Sequence, residues 1–244
     1  MKRFENRVVY QSMRNGSGFT LIELLVVIAI IAILAAMLFP VLSSAKQRAW
    51  TVQCVSNLRQ VGVAMRLFAD ENDGLYPESG GDIHWNQIDP GTQKYSWMQQ
   101  IVTYVQNTNV YDCPGNVQLP LNMRGPFNYF NGTRAAFVAA GGTAASVNTT
   151  PIKFPSNYVL SGDTCGIPNV TSGEDGETFD PQDADKDDYT QNCVGGPTNG
   201  TPYELWQVHS LGQNVLFADG HSRWFKGYTA NDMTFRYDAI QGWQ

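Results

Sequence analysis

An α+β chain, a long amino-terminal helix carrying a strand-bearing head, is what the sequence predicts, and three observations predict it. From Phe19 to Phe39 every position is apolar except Thr20 and Glu23. Beyond that run, Trp50, Cys54, Leu58, Val61, Met65 and Phe68 recur at helical spacing. The remainder is rich in Gly and Pro and ends in two β-prone runs about Asp219-Gly220, the dipeptide of tight hairpin turns. With 244 residues, 16% of them charged, and a formal net charge of −6, the chain is neither a disordered polyelectrolyte nor a basic surface built for phosphates. No specific nucleic-acid partner is expected.

The first element is a leader. Residues 1–18 hold Lys2, Arg3, Arg7 and Arg14 against one acid, Glu5, which is the charge of a segment retained in the cytoplasm. As a helix, Phe19–Phe39 would be about 31 Å long at roughly 1.5 Å per residue, enough to cross the bilayer core. No Ala-x-Ala site follows the run cleanly, whereas Gly18 precedes it, so cleavage at Gly18 would leave the apolar helix attached. Glu23 breaks the pattern. A carboxylate at hydrocarbon depth costs roughly 2.5–3.5 kcal/mol, so Glu23 either snorkels to the interface or pairs with a cation such as a new α-amine at Phe19.

Gly18-Phe19-Thr20-Leu21-Ile22-Glu23 followed by the apolar run resembles the type III signal of type IV pilins and pseudopilins at every signature position. The resemblance implies cleavage after Gly18 by a prepilin peptidase, N-methylation of Phe19, and docking of Glu23 on a neighbour's terminal amine. It also implies an inner-membrane assembly platform with its ATPase. Lipid would hold the prepilin in the inner membrane before the chain joins a homopolymer outside the cell. The organisation expected is a leader over 1–18, a helical stem over 19–71 with 19–39 in membrane or filament core, and a head over 72–244. Removing the leader's four bases and one acid from the chain's 16 and 22 leaves 12 against 21, an acidic exported surface.

The second half of the stem is amphipathic. Its apolar residues fall within an arc of roughly 80° at 100° per residue, with Lys46, Arg48, Arg59 and Arg66 mainly off it, and Asp73-Gly74 ends it. Pro40 interrupts the stem, because it lacks an amide proton and crowds the preceding turn. A kink, or local opening over Ala36–Pro40, is expected there.

In the head, Ser96-Trp97-Met98-Gln99 has capping-box form and opens a helix predicted over 97–106. Apolar patches at 127–130, 135–140 and 157–161 suggest short strands, and Asn214–Phe225 a hairpin with a two-residue type I′ turn at Asp219-Gly220. His209 stands ten residues before Asp219. With the motifs beginning at Cys54, Asp70, Cys113-Pro114 and Asn157, this spacing resembles a bacterial family of pilin-like proteins with a carboxyl-terminal His-x9-Asp-Gly signature; 131–150 and 166–200 read as insertions. A structural role is the favoured reading of His209, Asp219 and Gly220. A metal or hydrolytic site using His209, Asp219 and His221 is the rival. Neither a catalytic motif nor a required cofactor is visible, so no enzyme is expected.

Four cysteines allow three pairings, and Cys54–Cys113 with Cys165–Cys193 is the one favoured, since it ties stem to head and closes the inserted loop; each link is worth roughly 4 kcal/mol. No Cys-x-x-Cys spacing argues for zinc. Within the inserted loop, 166–193, acids crowd residues 174–188. A solvated acidic surface is the favoured reading. Calcium held by Asp175, Asp180, Asp183, Asp185 and Asp187 is the alternative, and the loop is similar to the calcium-bound loop of major pseudopilins. Asp188 and Val194 stand where an EF-hand needs Gly and Glu.

The function implied is that of a major pilin, a structural subunit. A type II secretion pseudopilin or minor tip pilin is the alternative within that machinery, and a membrane-tethered metal-binding or hydrolytic protein the alternative outside it.

Overall fold

The computed structural model describes residues 19–80, 83–118, 124–164, 182–185, 209, 212–226, 229 and 231–240. The leader with Gly18, both Cys165 and Cys193, and Asp175, Asp180 and Asp187 lie outside the described residues. Two compact units make up the chain, Met1–Ser44 and Ala45–Gln244. The helix from Ala45 onward is therefore in one compact unit with the head.

Helix α1 spans Leu21–Glu71. It stays helical through Pro40, so the opening expected over Ala36–Pro40 is not present in the subunit. The carbonyl of Pro40 accepts a hydrogen bond from Ser44 Oγ at 3.0 Å, a side-chain bond that supports the turn after the proline. The helix is long and apolar enough to cross a membrane. Every large apolar side chain from Leu21 to Leu42 is exposed. Past Ala45 the pattern changes, and Cys54, Leu58, Val61 and Met65 of the expected stripe are fully buried.

That stripe meets the head's larger core, with Trp97, Met98, Ile101, Tyr111, Tyr129, Tyr158, Leu160 and Leu216. The sheet is antiparallel in the order β1 (Tyr129–Asn131), β2 (Val159–Asp163), β3 (Gln213–Phe217) and β4 (Ser222–Phe225). Strand alternation sends Leu216 toward α1, while Val215 and Phe217 join Phe130, Val159, Phe225, Met233 and Phe235 in a second cluster. Both faces are thus covered, and β1 to β3 are buried at every residue. Gly62 permits the close approach of sheet to helix: a Cβ there would lie 3.0 Å from both Cδ atoms of Leu216.

Three local expectations are corrected. Helix α2 is only Trp97–Gln100, followed by a 3-10 turn over Val102–Tyr104. Ser96 makes no capping bond, and the amide of Trp97 instead donates to the Asp185 carboxylate. The patch at 135–140 is not a strand but helix α3, Arg134–Ala139, consistent with its alanines. The turn between β3 and β4 is not a two-residue one. Phe217 pairs with His221, the amide of Gly220 donates to Phe217, and Gly220 alone takes a positive φ, 90°. This is a three-residue loop, a type I turn closed by a left-handed glycine.

Candidate functional site

The start of α1 is closed by a reciprocal capping box. Thr20 Oγ1 accepts from the Glu23 amide at 3.2 Å, while Glu23 Oε2 accepts from the Thr20 amide at 2.9 Å and from the Thr20 hydroxyl at 2.8 Å. Two otherwise unpaired donors of the first turn are satisfied together. Phe19 stands beside this box with its side chain 71% exposed. Thus the single acid of the apolar run acts through one oxygen as a local cap, at the head of a surface with nothing but hydrocarbon to offer a partner.

A second constellation is buried in the head. Cys54 of α1 is bonded to Cys113, their Cα atoms 5.5 Å apart, as expected. Against this disulfide lie His209 and Asp163, both buried. His209 Nε2 is 3.1 Å from Cys113 Sγ and 3.4 Å from Asp163 Oδ2, and Nδ1 is 3.3 Å from Thr51 Oγ1. Asp163 Oδ2 accepts from the amide and the side-chain amide of Asn214 at 2.7 and 2.9 Å. Burial pushes the Asp163 carboxyl up, opposed by the nearby His209 ring and the two Asn214 donors.

Asp219 is not part of that cluster. It lies in the turn at the far end of β3, and five residues of strand place it roughly 17 Å away along the hairpin. There it accepts from the His221 amide at 3.0 Å and pairs with His221 Nδ1 at 2.6 Å, while the His221 ring stacks on Phe217. The His-x9-Asp-Gly spacing therefore measures a hairpin: His209 anchors one end against the disulfide, and Asp219-Gly220 turns the other. A joint metal or hydrolytic site of His209 with Asp219 is overturned by this separation.

Asp183 and Asp185 are buried. Asp183 Oδ1 accepts from the amides of Ile83 and Asp185 at 3.1 and 2.8 Å, and Asp185 Oδ2 accepts from Gly80 at 2.7 Å. With the Trp97 bond, these carboxylates clamp Gly80, Ile83 and the start of α2. Replacing Asp185 by alanine would orphan two backbone donors, at about 1–3 kcal/mol each. Urea unfolding of the detergent-solubilised chain is expected to show a loss of roughly 2–5 kcal/mol, and a loss below 1 would mean that the clamp is not needed.

Residues 13–39 match the family model described as the prokaryotic N-terminal methylation motif. Over 37 residues the chain is 73% identical to the type IV wide pilus major component PilA4 of Thermus thermophilus. The amino-terminal segment is therefore similar to that of type IV pilins. The matched stretch is 15% of it and 28% of that relative, so the likeness is confined to a short part of each. No solved structure matches.

Of the residues that the sequence singles out, the structure brings together Cys54, Cys113 and His209, and separates His209 from Asp219. It adds Thr51 and Asp163. The capping box was readable as Thr-x-x-Glu, but the charge of Glu23 drew attention away from its spacing. Asp163 ends the motif that begins at Asn157, whose spacing carries no sign of a disulfide or a histidine beside it.

Proposed function

We propose that the chain is the major structural subunit of an extracellular type IV pilus-like filament. A prepilin peptidase cleaves after Gly18, Phe19 is N-methylated, and an inner-membrane platform with its ATPase draws the subunit from lipid into a helical homopolymer. The observation that carries this reading is the exposed apolar surface from Leu21 to Leu42, broken by one acid, Glu23, in the first turn of α1. Acyl chains cover such a surface before assembly, and sister helices cover it afterwards. Head-to-tail packing that does not close then gives a fibre. The relative's role as a major component of a wide pilus supports the same assignment. The role is structural rather than catalytic, and the acidic head faces outward.

Electron microscopy of sheared surface material, with mass spectrometry of its main band, tests this. The expected main band is this chain, beginning at a methylated Phe19. A trace band among fibres of another protein would place the chain as a minor pilin or pseudopilin instead. A soluble product beginning downstream of Phe39 would overturn the filament reading altogether.

A major pilin must also hold its stem through the assembly step, and Pro40 lies within the exposed half of that stem, fourteen residues before the first buried position, Cys54. Loss of the intrahelical bond to Ala36 makes this the weakest turn of α1. Hydrogen exchange across Ala36–Leu42 is expected to be faster in the filament than in the segments on either side. Uniform protection through this stretch would show that the helix passes into the fibre unbroken.

A further inference from the structure

A disulfide needs neither a base nor an acid beside it, yet the Cys54–Cys113 bond has both. Its sulfurs carry no charge and accept hydrogen bonds weakly. The buried pair His209–Asp163, 3.4 Å apart, is bonded further among the described residues only on Asp163 Oδ2 by Asn214 and on the far ring nitrogen by Thr51, so it gains little from the bond it faces. Asp163 Oδ1 has no hydrogen-bond partner among the described residues. The orientation of the imidazole is also fixed from behind. Thr51 Oγ1 lies 3.1 Å from the Gln47 carbonyl, to which its hydroxyl donates, leaving the oxygen's lone pair to accept Nδ1–H. Nε2 is thereby turned toward Cys113 Sγ and Asp163 Oδ2. A histidine held by one ring nitrogen with the other presented to sulfur and carboxylate is how metal-binding histidines are oriented.

One ligand atom each from Cys54, Cys113, Asp163 and His209 all lie within 4.8 Å of one another, and all four residues are buried. A tetrahedral ion with bonds of about 2.0–2.3 Å to N, O and S ligands would hold them roughly 3.3–3.8 Å apart. Opening the disulfide frees the two sulfurs to move to that separation. We propose that the reduced chain binds one tetrahedral divalent ion of the zinc class through Cys54, Cys113, His209 and Asp163, and that the disulfide and the ion exclude one another. The missing Cys-x-x-Cys spacing is no obstacle, because the ligands come from α1, the link between the 3-10 turns Thr108–Tyr111 and Pro114–Gln118, the end of β2 and the approach to β3.

The exchange balances with a dithiol reductant. The Cys54–Cys113 bond breaks as it takes two electrons and two protons, and the reductant's two thiols close to a disulfide of their own. The ion then displaces both thiol protons to solvent. Two thiolates, one carboxylate and a neutral imidazole around a divalent cation leave a net charge of −1, far less than the bare anions would carry in the core. A disulfide oxidant reverses the sequence: Cys54 and Cys113 close as its own bond is reduced to two thiols, and the ion is expelled, so a head folded before that exchange holds the two sulfurs together ready for closure.

Cobalt(II) added to the full-length, metal-free chain in detergent tests the proposal, since tetrahedral thiolate coordination gives intense visible bands and a sulfur-to-cobalt charge-transfer band. One equivalent is expected to bind the dithiol-reduced chain with both features and none to bind the oxidised chain. The bands should persist in a Cys165→Ser/Cys193→Ser variant. Thr51→Val, which leaves every ligand and the native disulfide in place, should weaken cobalt binding about 10–100-fold by releasing the ring. The proposal is overturned if the reduced chain shows no thiolate band, if the band disappears with Cys165 and Cys193, if the oxidised chain binds equally, or if Thr51→Val binds as tightly as the natural chain.

Discussion

Glu23→Ala chains are expected to be cleaved after Gly18 and to remain in the membrane without forming fibres. The acid sits at the head of a surface that has no other polar group to specify the axial position of one helix against the next. In a helix bundle lacking water, breaking a pairing with a neighbour's terminal amine would leave a charge without its partner, costing about 3–5 kcal/mol. Per added subunit that is a factor of roughly a hundred to several thousand in the association constant. The capping box supplies a control that the alanine variant lacks, because alanine removes both the cap and the charge. Glu23→Gln keeps a side-chain oxygen for the Thr20 amide, so the first turn survives while the charge does not. Both variants should be fibreless if the charge docks the subunit. Normal fibres from Glu23→Gln and none from Glu23→Ala would assign the role to the cap, and abundant fibres from both would remove Glu23 from assembly.

The stem was legible because its physics is one-dimensional. Hydrocarbon from Phe19 to Phe39 and a helical stripe from Trp50 to Phe68 each follow from spacing along the chain, and Cys54, Leu58, Val61 and Met65 of that stripe are buried, with Asn57, Gly62, Ala64 and Ala69 beside them. The disulfide was legible for a similar reason, since two of its candidate partners lay in motifs shared with the resembled family. The head was not. Helix α2 was drawn too long because Ser96 and Gln99 have the right spacing, whereas Gln99 instead holds Asn86 and the cap comes from Asp185, 88 residues away. No local pattern announces a donor–acceptor pair so distant in sequence.

The acidic loop shows the same limit in electrostatic form. Alternating carboxylates at Asp183 and Asp185 read as a solvated or cation-binding run, because a list of charges carries no information about burial. In the fold their oxygens meet backbone amides of Gly80, Ile83 and Trp97, which supply the positive ends of dipoles where a cation or water was expected. Asp163 has the opposite difficulty. It closes the motif that begins at Asn157, but its place beside the disulfide depends on Cys54, Cys113 and His209 arriving from three other parts of the chain.

Opening the Cys54–Cys113 bond is expected to be the most damaging change to the head itself. It closes a span of 59 residues, for which restriction of the unfolded chain contributes about 4 kcal/mol, a large share of the roughly 5–15 kcal/mol that stabilises a typical domain. The link also joins α1 to the segment leading into the sheet, so its loss relaxes the stripe that forms one wall of the core. Urea unfolding of the Cys165→Ser/Cys193→Ser variant, oxidised against dithiol-reduced and without divalent metal, isolates this one cross-link. A decrease near 4 kcal/mol is expected, and one below 1 kcal/mol would show that packing alone keeps stem and head together. Reduction differs from substitution by alanine in leaving both sulfurs in the core, so it removes the cross-link without opening a cavity. Cys54→Ala/Cys113→Ala should therefore be less stable than the reduced chain, by the lost burial of two sulfurs and by the exposure of His209 and Asp163 to an apolar gap.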